Sequence, residues 1–364
     1  MLSMPDEHNP LVSIVILNYN GQSCLEDCLN SVLETKYPNF EVILVDNASK
    51  DESLKMAQKV FGADPRLKIV KNQTNVGFSG GNNIGFAYSK GEYIVFLNND
   101  TIVDPDWLAT LVSAMQNDPT IGLAQSMILN IDGDKIQTAG WLFSNYLVRK
   151  HALGENKDSN AQFKSVFEVS VASGASMIAR RALIDEIGLF DPKIPFFYDD
   201  TLLSFKVWLA NKRVVTVPNS RIRHIMGATS AWNIELKTFN LLKAKTCLMF
   251  DVYCNLDELT RAVFINFSNT MINSFFALKR KDLAIIYANA QALKWALSNL
   301  RYLWKNRLNH WSKTKISPKE FKNKFFRVKL PVAFYLIPSK LSNDYFTFAV
   351  GKCENAVMHE IPNV

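Results

Sequence analysis

Apolar residues fall along the first hundred positions in two alternating patterns. Near-continuous apolar runs at residues 12–17 and 40–45 and an unbroken one at 94–97, with a shorter one in LKIVKN, suit strands buried on both faces. Between them the spacing turns helical. Leu25, Cys28, Leu29 and Val32 predict one helix, and Leu54, Ala57 and Val60 a second with Asp51 at its cap. NVGFSGGNNIGFAYSK reads as a glycine-rich turn entering a helix. DPDWLATLVSAM reads as a helix capped by Asp104 with Pro105 in its first position. Strands and helices alternating at such short intervals predict an α/β chain, with a mostly parallel sheet covered on both faces.

After Ile131 the pattern loosens, and DGDKIQ and GENKDSNAQ read as exposed loops. Residues 169–179 predict a strand containing the small triplet Ser173, Gly174 and Ala175, followed by a helix in RALIDEIG. FDPKIPFFYDD reads as a loop and an aromatic wall. A helix beginning near Asp199 is then buried through Leu202, Leu203, Phe205, Val207, Trp208 and Leu209. RVVTVP is a last strand, and RIRHIMGATS closes a first domain at residues 1–235. Residues 236–364 form a second unit, helical to Leu308 and then basic and aromatic.

Of the 364 residues, 48% are hydrophobic and 21% charged, which excludes a disordered chain. The five cysteines, Cys24, Cys28, Cys247, Cys254 and Cys353, contain no C-x-x-C pair, which argues against a zinc or redox motif and for a reducing compartment. Cys24 and Cys28, four apart, are expected on one helix face. The start, MLSMPDEHNP, has acidic residues and a proline where a signal peptide would be basic and then apolar, so export is not expected. The uncharged run 262–278 contains Asn266, Asn269 and Asn273 and falls short of the ~20 apolar residues of a spanning helix.

The charge is lopsided. Residues 279–329 hold 14 Lys and Arg against 2 acidic residues, in a chain whose net charge is +7, so the rest is acidic. These basic residues interleave with Trp295, Tyr302, Trp304, Trp311, Phe321, Phe325 and Phe326. One reading is a set of amphipathic helices on an anionic membrane face; the other is that the aromatics pack the second unit and the lysines are solvated. No nucleic-acid-binding motif is present.

Candidate chemistry gathers at strand ends, where ligands bind in open α/β sheets. Asn18, Tyr19 and Asn20, then Asp46 with Asn47, then Asn98, Asn99 and Asp100 each follow an apolar run. Asp100 suits a hard divalent cation, or NND is a plain turn. Adjacent Asp199 and Asp200 can supply a general base behind an aromatic wall, or merely favour a first helical turn. His224 can complete a metal shell or be a packed residue. Gly77, Gly80, Gly81 and Gly85 permit close backbone approach near a helix N-terminus, without the spacing of a dinucleotide fingerprint.

In order along residues 12–230, VSIVILNYNG, VDNASKD, NVGFSGGNNIG, FLNNDT, SGASMIARR, GLFDPKIPFFYDD and HIMGATS resemble the family 2 glycosyltransferases of the GT-A fold. The closest likeness is to the rhamnosyltransferase-like branch that builds bacterial surface polysaccharides. The resemblance implies a Rossmann-like, mostly parallel sheet, with the tail as a helical extension. It implies metal-dependent, inverting transfer of rhamnose or a similar hexose from a dTDP- or UDP-linked donor to a lipid-linked or polysaccharide acceptor. On the matching positions, Asp46 would read the nucleoside with Asn18 and Asn20. Asn75, Gly77, Asn83, Asn99, Ser173 and Gly174 would complete the donor pocket. Asp100 would hold Mg or Mn on the donor diphosphate with His224 beside it, the first acidic position of the D-x-D motif being Asn98 here. Asp200 would be the base, and Asp199 stands where the family has Glu.

Leu202 replaces a further Asp of the branch and Lys206 a usual Arg. That departure leaves open altered acceptor recognition, or a silent relative acting as a binding subunit. The implied setting is cytoplasmic and peripheral on the inner membrane face, with a homo-oligomer left open.

Overall fold

The computed structural model, describing residues 9–147, 150–160, 163, 165–225 and 233–329, is built on four parallel strands. Val12–Asn18 (β1), Phe40–Asp46 (β2), Leu67–Lys71 (β3) and Tyr93–Asn98 (β4) lie in the order β4-β1-β2-β3. Their apolar runs explain why: Ile14, Val42, Leu44 and Val95 are fully buried, each worth about 1.5–3 kcal/mol relative to exposure. Asn18 lies opposite Asp46, and Leu17 opposite Asn98, so the polar tips are nearly level. Leu25–Leu33 (α1), Ser53–Phe61 (α2) and Gly77–Tyr88 (α3) are the connecting helices. Gly227, Thr229, Ser230 and Cys353 lie outside the described residues.

The sheet then grows on the far side of β4. Thr101–Val103 (β5) and Trp107–Asn117 (α4) lead into Ile121–Leu129 (β6), buried at all nine positions. Ile136–Thr138 (β7) folds back on β6, while Trp141–Phe143 (β8) and Lys150–Ala152 (β9) form a separate two-stranded ribbon. Phe167–Glu168 (β10), Ser176–Arg180 (β11), Arg181–Ile187 (α5), Asp199–Leu209 (α6) and Arg213–His224 (β12) follow. The full order is β10-β12-β6-β11-β4-β1-β2-β3, with β5 on β12. β11 runs antiparallel to both β4 and β6, so the sheet is mixed, a direction that apolar runs alone do not encode.

Five helices complete the described chain: Ile234–Val252 (α7), Leu256–Lys279 (α8), Leu283–Ser298 (α9), Leu300–Ser312 (α10) and Pro318–Phe325 (α11). One hydrophobic cluster joins Leu203 and Phe205 of α6 to Leu248, Leu303, Phe321 and Phe325 of these helices. Phe321, Phe325 and Phe326 are buried, and Trp295, Tyr302 and Trp311 pack against the same cluster. Of the tail aromatics named above, Trp304 alone counts among the exposed hydrophobics, so the others serve packing rather than a membrane face.

Several local expectations are corrected. The buried face of α2 is Ser53, Ala57 and Phe61, with Val60 exposed. Asp51 accepts from the Ser53 amide (3.1 Å) and the Gln22 amide (2.9 Å), but Glu52 holds the N-cap position. Helix α4 begins at Trp107, whose amide closes a turn onto the Asp104 carbonyl, so Asp104 and Pro105 precede the helix. Cys24 holds the N-cap of α1, its carbonyl accepts the Cys28 amide (3.1 Å) and both side chains are buried; burial pushes the Cys24 thiol up to about 11 and that of Cys28 to about 12. DGDKIQ and GENKDSNAQ are not wholly loops, since Ile136 is buried in β7 and Lys135 bridges to Asp158. Residues 169–175 are not strand. Val169 donates to the Val214 carbonyl and Val171 makes one isolated bridge to Trp141, while the next amides go to side chains, Ala172 to Ser204, Ser173 to Gln125 and Gly174 to Asp200.

The glycine-rich segment is itself helical, and the glycines let α3 lie directly on β1. A Cβ at Gly81 would sit 2.3 Å from Leu17 Cδ1, and one at Gly85 2.2 Å from Val15 Cγ1. Val15 is β-branched and fully buried, so it has little room to yield. For Gly85→Ala the helix-propensity gain of about 1 kcal/mol is expected to lose to overpacking of about 1–3 kcal/mol. Urea titration should show a lower midpoint with an unchanged slope; a raised midpoint would refute the close contact.

Candidate active site

The carboxyl ends of β1, β2 and β4 bury hydrophilic side chains: Asn18, Asp46, Asn47, Asn99 and Asp100. Such groups must be hydrogen-bonded to be tolerated. Asn18 Nδ2 shares its two hydrogens among Asp46 Oδ1 (3.2 Å), Ser49 Oγ (3.1 Å) and Ser53 Oγ (2.9 Å). Its Oδ1 accepts from Asn99 Nδ2 (2.9 Å). Asn20, at φ 52°, accepts the Lys50 amide on its side chain (2.8 Å). Asp46 also accepts the Ser49 amide (3.2 Å). Asn47 accepts from the Val76 amide (3.1 Å) and donates to Asn75 Oδ1 (2.9 Å) and the Gly77 carbonyl (3.2 Å), which fixes the start of α3. Asn83 bonds the backbone of Phe190 in both directions, at 2.9 and 3.2 Å, and like Asn18, Asn20, Asp46, Asn75, Gly77 and Asn99 it does not line the cleft described next.

That cleft, of about 380 Å³, brings the other candidates together. Asn98, Asp100 and His224 line it, with Ser173, Gly174, Asp199 and Asp200. His224 ends β12 opposite Thr101, so strand pairing places it beside Asp100. His224 Nε2 lies 3.1 Å from Asp100 Oδ1, and Nδ1 lies 2.7 Å from Gln137 Oε1. A glutamine oxygen only accepts, so Nδ1 carries a hydrogen towards Gln137, and Nε2 is the ring nitrogen turned to Asp100. A carboxylate oxygen and an imidazole nitrogen so placed suit Mg or Mn, with phosphate oxygens filling the other positions. Among the described residues no group of three or more His, Cys, Asp or Glu could hold a metal, so Asp100 and His224 would need ligands of another kind beside them.

The aspartate pair is presented by a strained bend. Phe197 and Tyr198 adopt φ 65° and 56°, a conformation that bulky residues seldom take and that costs of order 1–3 kcal/mol each. The bend is held by the Leu202 amide on the Tyr198 carbonyl (2.8 Å) and by the rings of Phe143 and Tyr198 packing together. Asp200 Oδ1 accepts from the Thr201 amide (2.6 Å) and hydroxyl (3.1 Å), and Oδ2 from the Gly174 amide (3.3 Å). One oxygen is thus fully engaged, and the other has a single long bond. Burial, and next the Asp200 charge, push Asp199 up to about 8, so near neutral pH it is the protonated member.

Three functional side chains escaped the sequence reading. Gln137 and Gln125 sit in segments without a local signature, yet they orient His224 and the Ser173 amide. Lys150 lines the cleft, its ammonium 4.2 Å from the Trp141 ring centre and 5.7 Å from that of Tyr198, and it brings positive charge to Asp199. An isolated lysine carries no signal in one sequence. Leu202 and Lys206 do not line the cleft. Leu202 is buried in the core, and Lys206 donates to the carbonyls of Gly188 (2.7 Å) and Leu189.

Polar strand tips, an Asp–His pair and an aspartate pair in one cleft coincide with a family match. Residues 13–188 match the model of Glycosyl transferase family 2. That stretch is just under half of the chain, and the fold is GT-A. An uncharacterised protein of Sinorhizobium fredii is 29% identical over 228 residues, 60% of this chain and 25% of that protein. An O-antigen biosynthesis protein of Myxococcus xanthus is 30% identical over 229 residues, 60% of this chain and 18% of that one. The chain therefore spans a quarter or less of the length of these two relatives. A solved mannosyltransferase from Pyrobaculum calidifontis, in complex with GDP-Man and Mn2+, shares the fold with TM-score 0.51 and 16% identity, over 98% of this chain and 89% of that one.

The protonation of Asp199 has a measurable consequence. Its folded value of about 8 exceeds the ~3.9 of an unfolded Asp, so the folded state holds an extra proton between those values and stability falls as pH rises from about 4 to about 8. Asp199→Asn is expected to remove this decline, gaining on the parent protein in urea midpoint between pH 5 and pH 8. Parallel curves for the two proteins would show that Asp199 ionises normally.

Proposed function

We propose that the protein transfers a hexose, rhamnose or a close relative, from a nucleoside diphosphate donor to a hydroxyl of a lipid-linked or polysaccharide acceptor in surface glycan synthesis. The observation that carries this reading is the single cleft holding both the Asp100–His224 pair and Asp200. Motif order along residues 12–230 favours a dTDP- or UDP-linked sugar. The Myxococcus relative's role in O-antigen biosynthesis agrees with a surface-glycan product.

In this mechanism Asp46 reads the nucleoside, and Asn18, Asn20 and Asn99 keep the tips of β1, β2 and β4 rigid beneath it. Asp100 and His224 would hold Mg or Mn, and Gln137 keeps the imidazole oriented for that purpose. Such a cation, when bound, neutralises charge on the departing diphosphate. Asp200, fixed by Thr201 and Gly174, accepts the proton of the acceptor hydroxyl as its oxygen attacks the anomeric carbon. The bond from that carbon to the diphosphate oxygen breaks on the opposite face, so the product is inverted. Asp199, protonated near neutral pH, leaves Asp200 as the base of the pair.

A silent, donor-binding relative is the alternative raised by Leu202 and Lys206. Both side chains sit away from the cleft and leave the aspartate pair in place, which favours the active reading. With Mg or Mn and a panel of nucleotide sugars, release of nucleoside diphosphate is the direct assay. Asp200→Asn is expected to lower turnover by ~10²-fold or more. Turnover equal to the parent's would remove Asp200 from the role of base. Asp100→Ala is expected to abolish the metal dependence of donor binding in calorimetry; unchanged metal-dependent heats would place the cation elsewhere.

A further inference from the structure

Helix α8 carries no charged side chain from Ala262 to Leu278, a run of four to five turns. Its inner face, with Leu259, Ala262 and Ile265, is buried. Its outer face is just as apolar. Phe264, Phe267, Met271, Phe275 and Leu278 follow one another at three- and four-residue steps and are 63%, 48%, 53%, 54% and 60% exposed. The neighbouring α9, which packs on α8, continues the surface with Leu283, Leu293 and Leu297. Water-facing aromatic and aliphatic side chains in such number mark a contact surface rather than scattered exposure.

Charge identifies what covers it. Exposed Lys279, Arg280 and Lys281 sit in the turn between α8 and α9, and exposed Lys294, Arg301 and Lys305 follow on α9 and α10. Residues 279–329 hold 14 basic against 2 acidic residues. A second copy on this face would add its own 14 basic against 2 acidic residues of the 279–329 segment, like sign meeting like, which weighs against self-association. An anionic lipid surface offers both an apolar interior for the rings and a negative headgroup layer for the lysines. No helix among the described residues is long and apolar enough to cross a membrane, so α8 would lie in the plane of the interface.

We propose that the outer face of α8 and α9, with its basic rim, docks the protein on an anionic bilayer. The apolar contact is thus made by α8, in the uncharged run that is too short to span a membrane, and not by the aromatics of the basic tail. This docking is independent of the transferase chemistry, and either can fail without the other.

Co-sedimentation of the full chain with vesicles tests it, using phosphatidylcholine alone and with phosphatidylglycerol added. Binding is expected only to the anionic vesicles, with the partition coefficient falling about tenfold or more for Phe267→Glu/Phe275→Glu and about a hundredfold for Lys279→Gln/Arg280→Gln/Lys281→Gln. Urea midpoints of the variants, read alongside, establish that the fold is kept. Two results overturn the proposal. One is a full chain that stays in the supernatant with both vesicles, including the case of a dimer that Phe267→Glu/Phe275→Glu dissociates. The other is vesicle binding that both variants retain at the parent's strength.

Discussion

The side-chain amide of Asn18 is the tie on which the site depends. Three parallel strands end side by side, and Asn18 bonds to groups from the other two at once, Asp46 at the end of β2 and Asn99 just after β4. Ser49 and Ser53 use the remaining capacity of the amide, so the start of α2 is bound to the same point. Asp100 follows directly in the chain from Asn99, and its position is inherited from this network. A buried network of this kind is worth having only when every member is satisfied, because an unpaired amide in the apolar interior is costly.

The cleft is assembled from parts with different mechanical origins. Asp100 and His224 stand on strand ends and are held by sheet pairing between β5 and β12. The aspartate pair stands on a helix whose entry bend is strained and whose underside is packed by the C-terminal helices. Phe205 of α6 meets Phe321 and Phe325 edge-on, and Phe325 stacks on Phe143, which in turn touches Tyr198. The match to the family model ends at residue 188, so the aspartate pair and His224 lie beyond the matched region.

Much of this architecture is legible in the sequence because it depends on local pattern. The runs ending at Asn18, Asp46 and Asn98 could be nothing but buried strands, and their polar ends had to face a crevice. Residues 202–209 announce a buried helix, and all of their named apolar members are indeed covered. What stayed hidden depends on distance along the chain. The antiparallel entry of β11 is decided by partners some 50–80 residues away. Gln137 matters only because β7 folds onto β6 and carries it to His224. The triplet at residues 173–175 has strand-like neighbours but gives its amides to Gln125 and Asp200, a preference that no periodicity reveals. The tail aromatics were ambiguous by composition, since a ring in a core and a ring at a lipid surface look alike until burial separates them.

The loop between α5 and α6 shows how closely the two halves of the chain are joined. Asp191, at the start of that loop, receives hydrogen bonds from the Tyr302 hydroxyl and from Asn306 (3.2 Å), both on α10. The loop that leads to the aspartate pair is therefore moored to a helix more than a hundred residues downstream. A chimera that grafts this tail onto a related enzyme, or exchanges the loop alone, would leave a carboxylate without its moorings. Loop and tail must travel together as one inherited unit.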